Sequence, residues 1–226
     1  MGYLIYFVFI ALIPLWAQSK VKNTFAKYAR VASSSHLRGA EVAREILNAN
    51  GLYNVGIEEQ RGRLSDHYDP RTKTVRLSSE TYHGQSLAAA AVASHECGHA
   101  IQDAQGYAFL RIRHALVPVA NLGSNASWIL IMIGILAHLS GMLLLGIIFM
   151  AAAVLFQVIT LPVEFNASNR AMVQVVSLGV IRSAEERETR KVLNAAALTY
   201  VAAAAVAVLE LLRLVLIFTG MNRNND

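Results

Sequence analysis

The chain has 226 residues, of which 55% are hydrophobic and only 15% charged, and its mean hydropathy is positive. Soluble domains carry about 25% charged residues, so this composition points away from them and toward a membrane protein. A single cysteine, Cys97, excludes an intrachain disulfide framework, and the net charge of +5 gathers beside apolar runs, which suits a lipid surface rather than a nucleic-acid groove.

The first apolar run, residues 3–18 (YLIYFVFIALIPLWAQ), is uncharged and slightly short of the roughly 20 residues that cross a hydrocarbon core. Its basic residues Lys20, Lys22, Lys27 and Arg30 follow the run instead of preceding it, the reverse of a secretory signal. It is therefore predicted as transmembrane helix 1, with Pro14 tolerated near its end. Residues 19–114 form the one sizeable soluble segment. In GAEVAREILNANGL the apolar Val42, Ile46 and Leu47 recur at helical spacing, and Asn50-Gly51 is a left-handed stop. NVGIEEQRG and HYDPRTKTVRLS then alternate apolar with polar residues, with turn chemistry in DPRTK, so a small sheet is expected. Residues 86–105, SLAAAAVASHECGHAIQDAQ, have high helix propensity up to Gly106.

Residues 115–137 and 141–162 follow as an uncharged pair joined by HLSG around His138, a transmembrane hairpin that returns to the side it entered. Residues 163–194 are a polar segment, and 195–219 form the fourth run. Within that run Glu210 and Arg213, three positions apart, share a helix face and partly neutralise each other. Basic residues crowd after the first run, before the second (Arg111, Arg113) and between the third and fourth (Arg170, Arg182, Arg187, Arg190, Lys191). The positive-inside rule puts all of these on the cytoplasmic face. The expected fold is thus a mainly α membrane protein, with about four transmembrane helices and a small α+β domain on that face. Such a chain would be a multi-pass integral membrane protein.

Within the 86–105 helix the sequence reads His-Glu-Cys-Gly-His. Residues four apart on a helix share a face, so His95 and His99 can offer two imidazole nitrogens to one metal ion. Glu96 is one step around, placed to reach a water held there and act as a general base. Gly98 removes bulk beside the site, and Cys97 falls on the opposite face as a small buried residue. A catalytic zinc needs a third protein ligand and an open position. Glu164, at the end of the third run, is the candidate, because the membrane hairpin brings it back to the side of the histidines.

HECGHAIQ, together with DHYDPRTKTVRLSSETY before it and LPVEFNAS after it, resembles the YugP-like family of membrane-anchored neutral zinc metallopeptidases over nearly the whole chain. More remotely, the pairing of His-Glu-x-x-His with a distant Glu-x-x-Ala-Asp element is similar to gluzincin membrane proteases, including HtpX and the CAAX prenyl proteases. The resemblance implies a gluzincin-like domain with one Zn2+ per chain, His95, His99 and Glu164 as ligands, and Glu96 as general base. Ala167 also fits that element. Ser168 stands where the HtpX-like pattern has an aspartate; its hydroxyl can hold an imidazole but cannot supply a carboxylate's charge.

In proteases of this type an extended peptide adds to an exposed strand beside the metal, and the arm Thr74, Val75, Arg76, Leu77, Ser78 is the expected edge. A second donor to the oxyanion is sought among His67, Tyr68, His83 and Arg170, with His138 on the far side. The expected reaction is hydrolysis of peptide bonds in membrane or membrane-associated proteins. The expected partners are a peptide or protein substrate and the lipid bilayer, with no nucleic acid; a membrane-protein partner or homo-oligomer is unidentified. Two other readings stand beside it: a non-catalytic metal-stabilised scaffold or transport-complex subunit, and a metal carrier or sensor. Glu96 argues against the scaffold, since a structural site needs four closed ligands and no base.

Overall fold

A computed structural model describes the backbone over residues 2–223 and side chains over residues 5–221. The described chain is mainly helical, with a small three-stranded sheet. In order come α1 (Gly2–Tyr28), α2 (Gly39–Ala49), β1 (Gly56–Gln60), β2 (His67–Asp69), β3 (Thr74–Ser78), α3 (Ser79–Tyr82), α4 (Leu87–Ala104), α5 (Ala108–Leu136), α6 (Ser140–Ser177), a 3-10 turn (Ser183–Glu185) and α7 (Glu186–Arg223). Helices α1, α5, α6 and α7 are each long and apolar enough to cross a membrane. The chain divides into two compact units, one of residues 1–13, 108–162 and 200–226, the other of residues 14–107 and 163–199.

The first unit is built from apolar helical segments whose large side chains are widely exposed, among them Phe9, Leu122, Trp128, Ile129, Leu212 and Leu216. Apolar side chains facing outward on helices of this length suit contact with lipid. Within this unit Arg213 donates from Nε and an η nitrogen to Glu210 Oε2 at 3.0 and 2.7 Å. Its guanidinium lies over the rings of Tyr6 and Phe7, 5.6 and 5.2 Å from their centroids. The charge pair thus meets on one helix face, as its spacing predicts.

The second unit contains the larger core. Val42, Ile46 and Leu47 of α2 and Val75 and Leu77 of β3 are fully buried with Ala88, Ala91 and Cys97 of α4 and Ala171 and Val175 of α6. Helix α4 is buried on all sides: every residue from Leu87 to Gln102 except Val92 is covered. Its alanines make this possible, because small side chains let neighbours approach from every direction while keeping helix propensity high. Ser86 caps its start, accepting from the Ala89 N–H at 3.1 Å. At the other end Gly106 takes a left-handed φ of 62°. The Tyr107 and Gly106 N–H groups then return to the Gln102 and Asp103 carbonyls at 2.9 and 3.0 Å, which ends the helix.

The sheet order is β1-β3-β2, with β1 parallel and β2 antiparallel to β3. This corrects the substrate-edge assignment: Thr74, Val75, Arg76, Leu77 and Ser78 form the central strand, paired on both sides and offering no free edge. Burial gives the reason. Thr74, Val75, Leu77 and Ser78 are all covered and only Arg76 is partly open, a pattern that excludes a half-solvated edge strand. Another difference lies in α6, expected to reach the apolar run's end at residue 162. It continues through Pro162 to Ser177. Val163, Ala167, Ala171 and Val175, each four positions apart, are fully buried, and that burial outweighs the one backbone hydrogen bond a proline removes. Likewise α1 runs past residue 18 to Tyr28, and α7 starts nine residues before its apolar run.

Candidate metal centre

His95 and His99 lie one turn apart on α4, their ring centroids 4.8 Å apart and nearly perpendicular. Facing them, α6 presents Glu164, which is 1% exposed. Glu164 Oε2 lies 3.2 Å from His95 Nε2 and 3.6 Å from His99 Nε2. One donor atom from each of the three buried residues falls within 4.8 Å of the others. The approach of the two helices depends on Gly98. A Cβ there would lie 2.5 Å from the Ala167 carbonyl oxygen and 3.1 Å from its carbon, so a larger residue would push α6 off α4.

The outer nitrogens of both rings are also engaged. Ser168, one turn after Glu164, places Oγ 3.1 Å from His95 Nδ1. Gln102, three residues after His99, places Oε1 3.0 Å from His99 Nδ1. The Gln102 amide orientation follows from its other contacts, because its Nε2 donates to the Val163 carbonyl at 2.8 Å and to Asn166 Oδ1 at 2.9 Å. A carbonyl only accepts, so the NH2 must face α6 and Oε1 must face His99. His99 therefore donates from Nδ1, and in the neutral ring Nε2 carries a lone pair aimed at a carboxylate oxygen. Two acceptors held this close repel each other unless a positive charge lies between them. The two-nitrogen, one-oxygen set suits zinc, and three such donors would leave one position of a tetrahedral ion open.

Glu96 sits beside this cluster with 8% of its surface exposed. Burial pushes its carboxyl up to about 7, helped by the negative charges of Glu164 and Asp66 and opposed by His95 and a hydrogen bond from the Tyr68 backbone. Asp66 in turn accepts from the Ser78 N–H at 2.8 Å and from its hydroxyl, which anchors the start of β2 to the end of β3. Cys97 points away, 3.6 Å from the Ala43 carbonyl; burial pushes its thiol up, leaving it protonated and inert.

Tyr68 meets Glu96 through its backbone, while the side chains of the remaining predicted residues make other contacts. His67 Nδ1 donates to the Ser65 carbonyl at 2.9 Å, so the neutral ring has no proton on Nε2 to offer an oxyanion. Tyr68 donates its hydroxyl to Asp103 at 2.8 Å, and burial with that contact pushes it up. His83 is exposed and pairs with Glu59 at 3.1 Å. Arg170 donates to Asn166 at 2.7 Å and Gln105 at 2.6 Å, tying α6 to the end of α4. His138 takes a left-handed φ of 54° in the link between α5 and α6. Gln102 is the residue the sequence reading passed over. Its spacing, three residues beyond His99, is visible in the sequence, but its burial and the partners of its amide come from the packing of α6.

A family model described as "Putative neutral zinc metallopeptidase" matches residues 3–219. The chain belongs to this family. A Bacillus subtilis (strain 168) protein described as "Putative membrane protease YugP" is 53% identical over 223 residues, covering 97% of this chain and 99% of that one. No solved structure matches the chain.

For this zinc-peptidase family member, Gln102→Leu should weaken zinc binding about 10- to 100-fold, because His99 loses the partner that fixes its ring and tautomer. Competition with a chromogenic chelator in detergent measures this. An unchanged affinity would leave Gln102 only a packing role.

Proposed function

We propose that this chain is a membrane-embedded zinc metalloendopeptidase of the His-Glu-x-x-His, gluzincin type, cleaving membrane or membrane-associated proteins at the cytoplasmic face. The observation that carries the reading is the buried convergence of His95 Nε2, His99 Nε2 and Glu164 Oε2 with Glu96 alongside. Three ligands, one open position and a neighbouring carboxyl make a reaction centre, not a closed structural site.

When bound there, zinc would polarise the scissile carbonyl and lower the pKa of a water toward about 7. His95, His99 and Glu164 would hold it, with Ser168 and Gln102 keeping the two rings oriented. Glu96 takes the proton from the attacking water and delivers it to the departing amine. For the substrate, the free side of β2 replaces the central strand β3. Tyr68 turns a backbone hydrogen bond toward Glu96, so a peptide laid along β2 would run beside the general base. The cytoplasmic placement rests on the basic residues that follow α1's apolar run and precede that of α7.

The test is metal removal from protein purified in detergent. Zinc content should be about one per chain. Casein cleavage should disappear on treatment with a chelator and return with one equivalent of zinc. Cleavage that persists in protein shown to be zinc-free would overturn the reading.

A further inference from the structure

A second site lies away from the metal centre, within the second unit. A cavity of about 710 Å3 is lined by Lys20, Asn23, Thr24 and Lys27 of α1 and by Lys191 and Asn194 of α7. The four α1 residues fall at positions i, i+3, i+4 and i+7, a single helix stripe. Lys191 and Asn194 begin a stripe of the same spacing on α7, which becomes apolar by Leu198. Facing helix stripes ordinarily interlock apolar side chains; here they carry three ammonium groups and two amides and leave a space between them.

The charges in this groove are poorly balanced. From Lys20 to Arg30 the sequence has four basic residues and no acidic one. Among the described residues neither Lys20 nor Lys27 pairs with a carboxylate. Lys27 Nζ instead lies 5.3 Å from the Tyr28 ring centroid. Lys191 has one partner, Glu188, at 3.4 Å. Lys20, Asn23, Lys27, Lys191 and Asn194 are solvent-exposed along this groove, and ammonium groups gathered there repel one another until an anion lies among them. The α1 residues of the groove follow the uncharged run 3–18, and its α7 residues Lys191 and Asn194 precede the apolar run 195–219, so the groove lies at the polar ends of two apolar runs.

The geometry points to a binding site for an anionic phosphate group, supplied by the headgroup of a membrane phospholipid, on Lys20, Lys27 and Lys191 with the Asn23 and Asn194 amides as further donors. Ammonium and amide donors suit a phosphodiester, and basic pockets at the ends of membrane helices are where acidic headgroups lodge. This inference does not rest on the peptidase reading.

The experiment reconstitutes the full chain in nanodiscs of phosphatidylglycerol or of phosphatidylcholine and counts retained lipid by native mass spectrometry. Wild type should retain phosphatidylglycerol in preference to phosphatidylcholine. Lys20→Gln/Lys27→Gln/Lys191→Gln should reduce that retention at least about tenfold. Lys22→Gln/Arg30→Gln/Arg190→Gln removes as much charge from outside the cavity and should change retention less than about twofold. Equal losses in the two variants, or none in the first, would overturn the site. A third arm adds 20 mM inorganic phosphate. Retention that survives it supports the lipid headgroup, whereas release equal to that of the cavity variant overturns the lipid as ligand and assigns the site to the free ion.

Discussion

Glu96→Gln should retain about one zinc per chain while casein cleavage falls about 10²- to 10⁴-fold, the usual contribution of a general base. The amide keeps the size of the side chain and leaves the His95, His99 and Glu164 donors untouched, but it cannot accept the water's proton. The same substitution should act oppositely on stability. In metal-free protein the Glu96 carboxyl holds its proton up to about 7 when folded and only to its ordinary 4.5 when unfolded. Between those values the folded state binds more protons, so stability falls as pH rises; above 7 the penalty is complete, about 3 kcal/mol. Metal-free Glu96→Gln should therefore unfold at higher temperature than metal-free wild type at pH 8, with the difference fading toward pH 4.5. Loss of both zinc and cleavage in the variant would instead make Glu96 part of the binding centre.

Glu164→Gln should abolish zinc retention. The variant keeps the shape of a fully buried side chain, so folding is little challenged, but the anionic ligand becomes a neutral amide. Two imidazoles alone do not compete with a chelator, and zinc measured by elemental analysis after gel filtration should fall from about one per chain to less than about 0.1. Glu164→Asp should do little better, since a carboxylate withdrawn by one methylene misses the ~0.2 Å tolerance of a zinc ligand. Full zinc occupancy in Glu164→Gln would remove Glu164 from the ligand set.

Half of the centre was legible because it is local. His95, Glu96 and His99 sit within five consecutive residues, and helical periodicity alone fixes which of them share a face. Glu164 was reached through topology, since an apolar hairpin returns the chain to its starting side. Its setting was not legible: Pro162 looks like a helix end, and only the buried stripe Val163, Ala167, Ala171, Val175 shows why α6 runs on and presents Glu164 and Ser168 on successive turns. Gln102 escaped notice because its role exists only when α6 supplies Val163 and Asn166 to orient its amide. The strand assignment failed for a related reason. Neighbouring β2 and β3 form a hairpin that turn residues reveal, whereas the parallel partner β1 is joined to β3 by no turn signal.

The sequence by itself determined the membrane character, the four apolar helices, the helix that carries His95, Glu96 and His99 and the chemistry its residues can support, because composition, run length and i, i+4 spacing act within single elements. Tertiary structure decided which strand is central, how far α6 extends, how His99 is held, and that two lysine-bearing helix stripes line one groove. Each of those depends on a partner distant in sequence, and the physical terms that choose it, burial and hydrogen-bond satisfaction, have values only once the elements are packed.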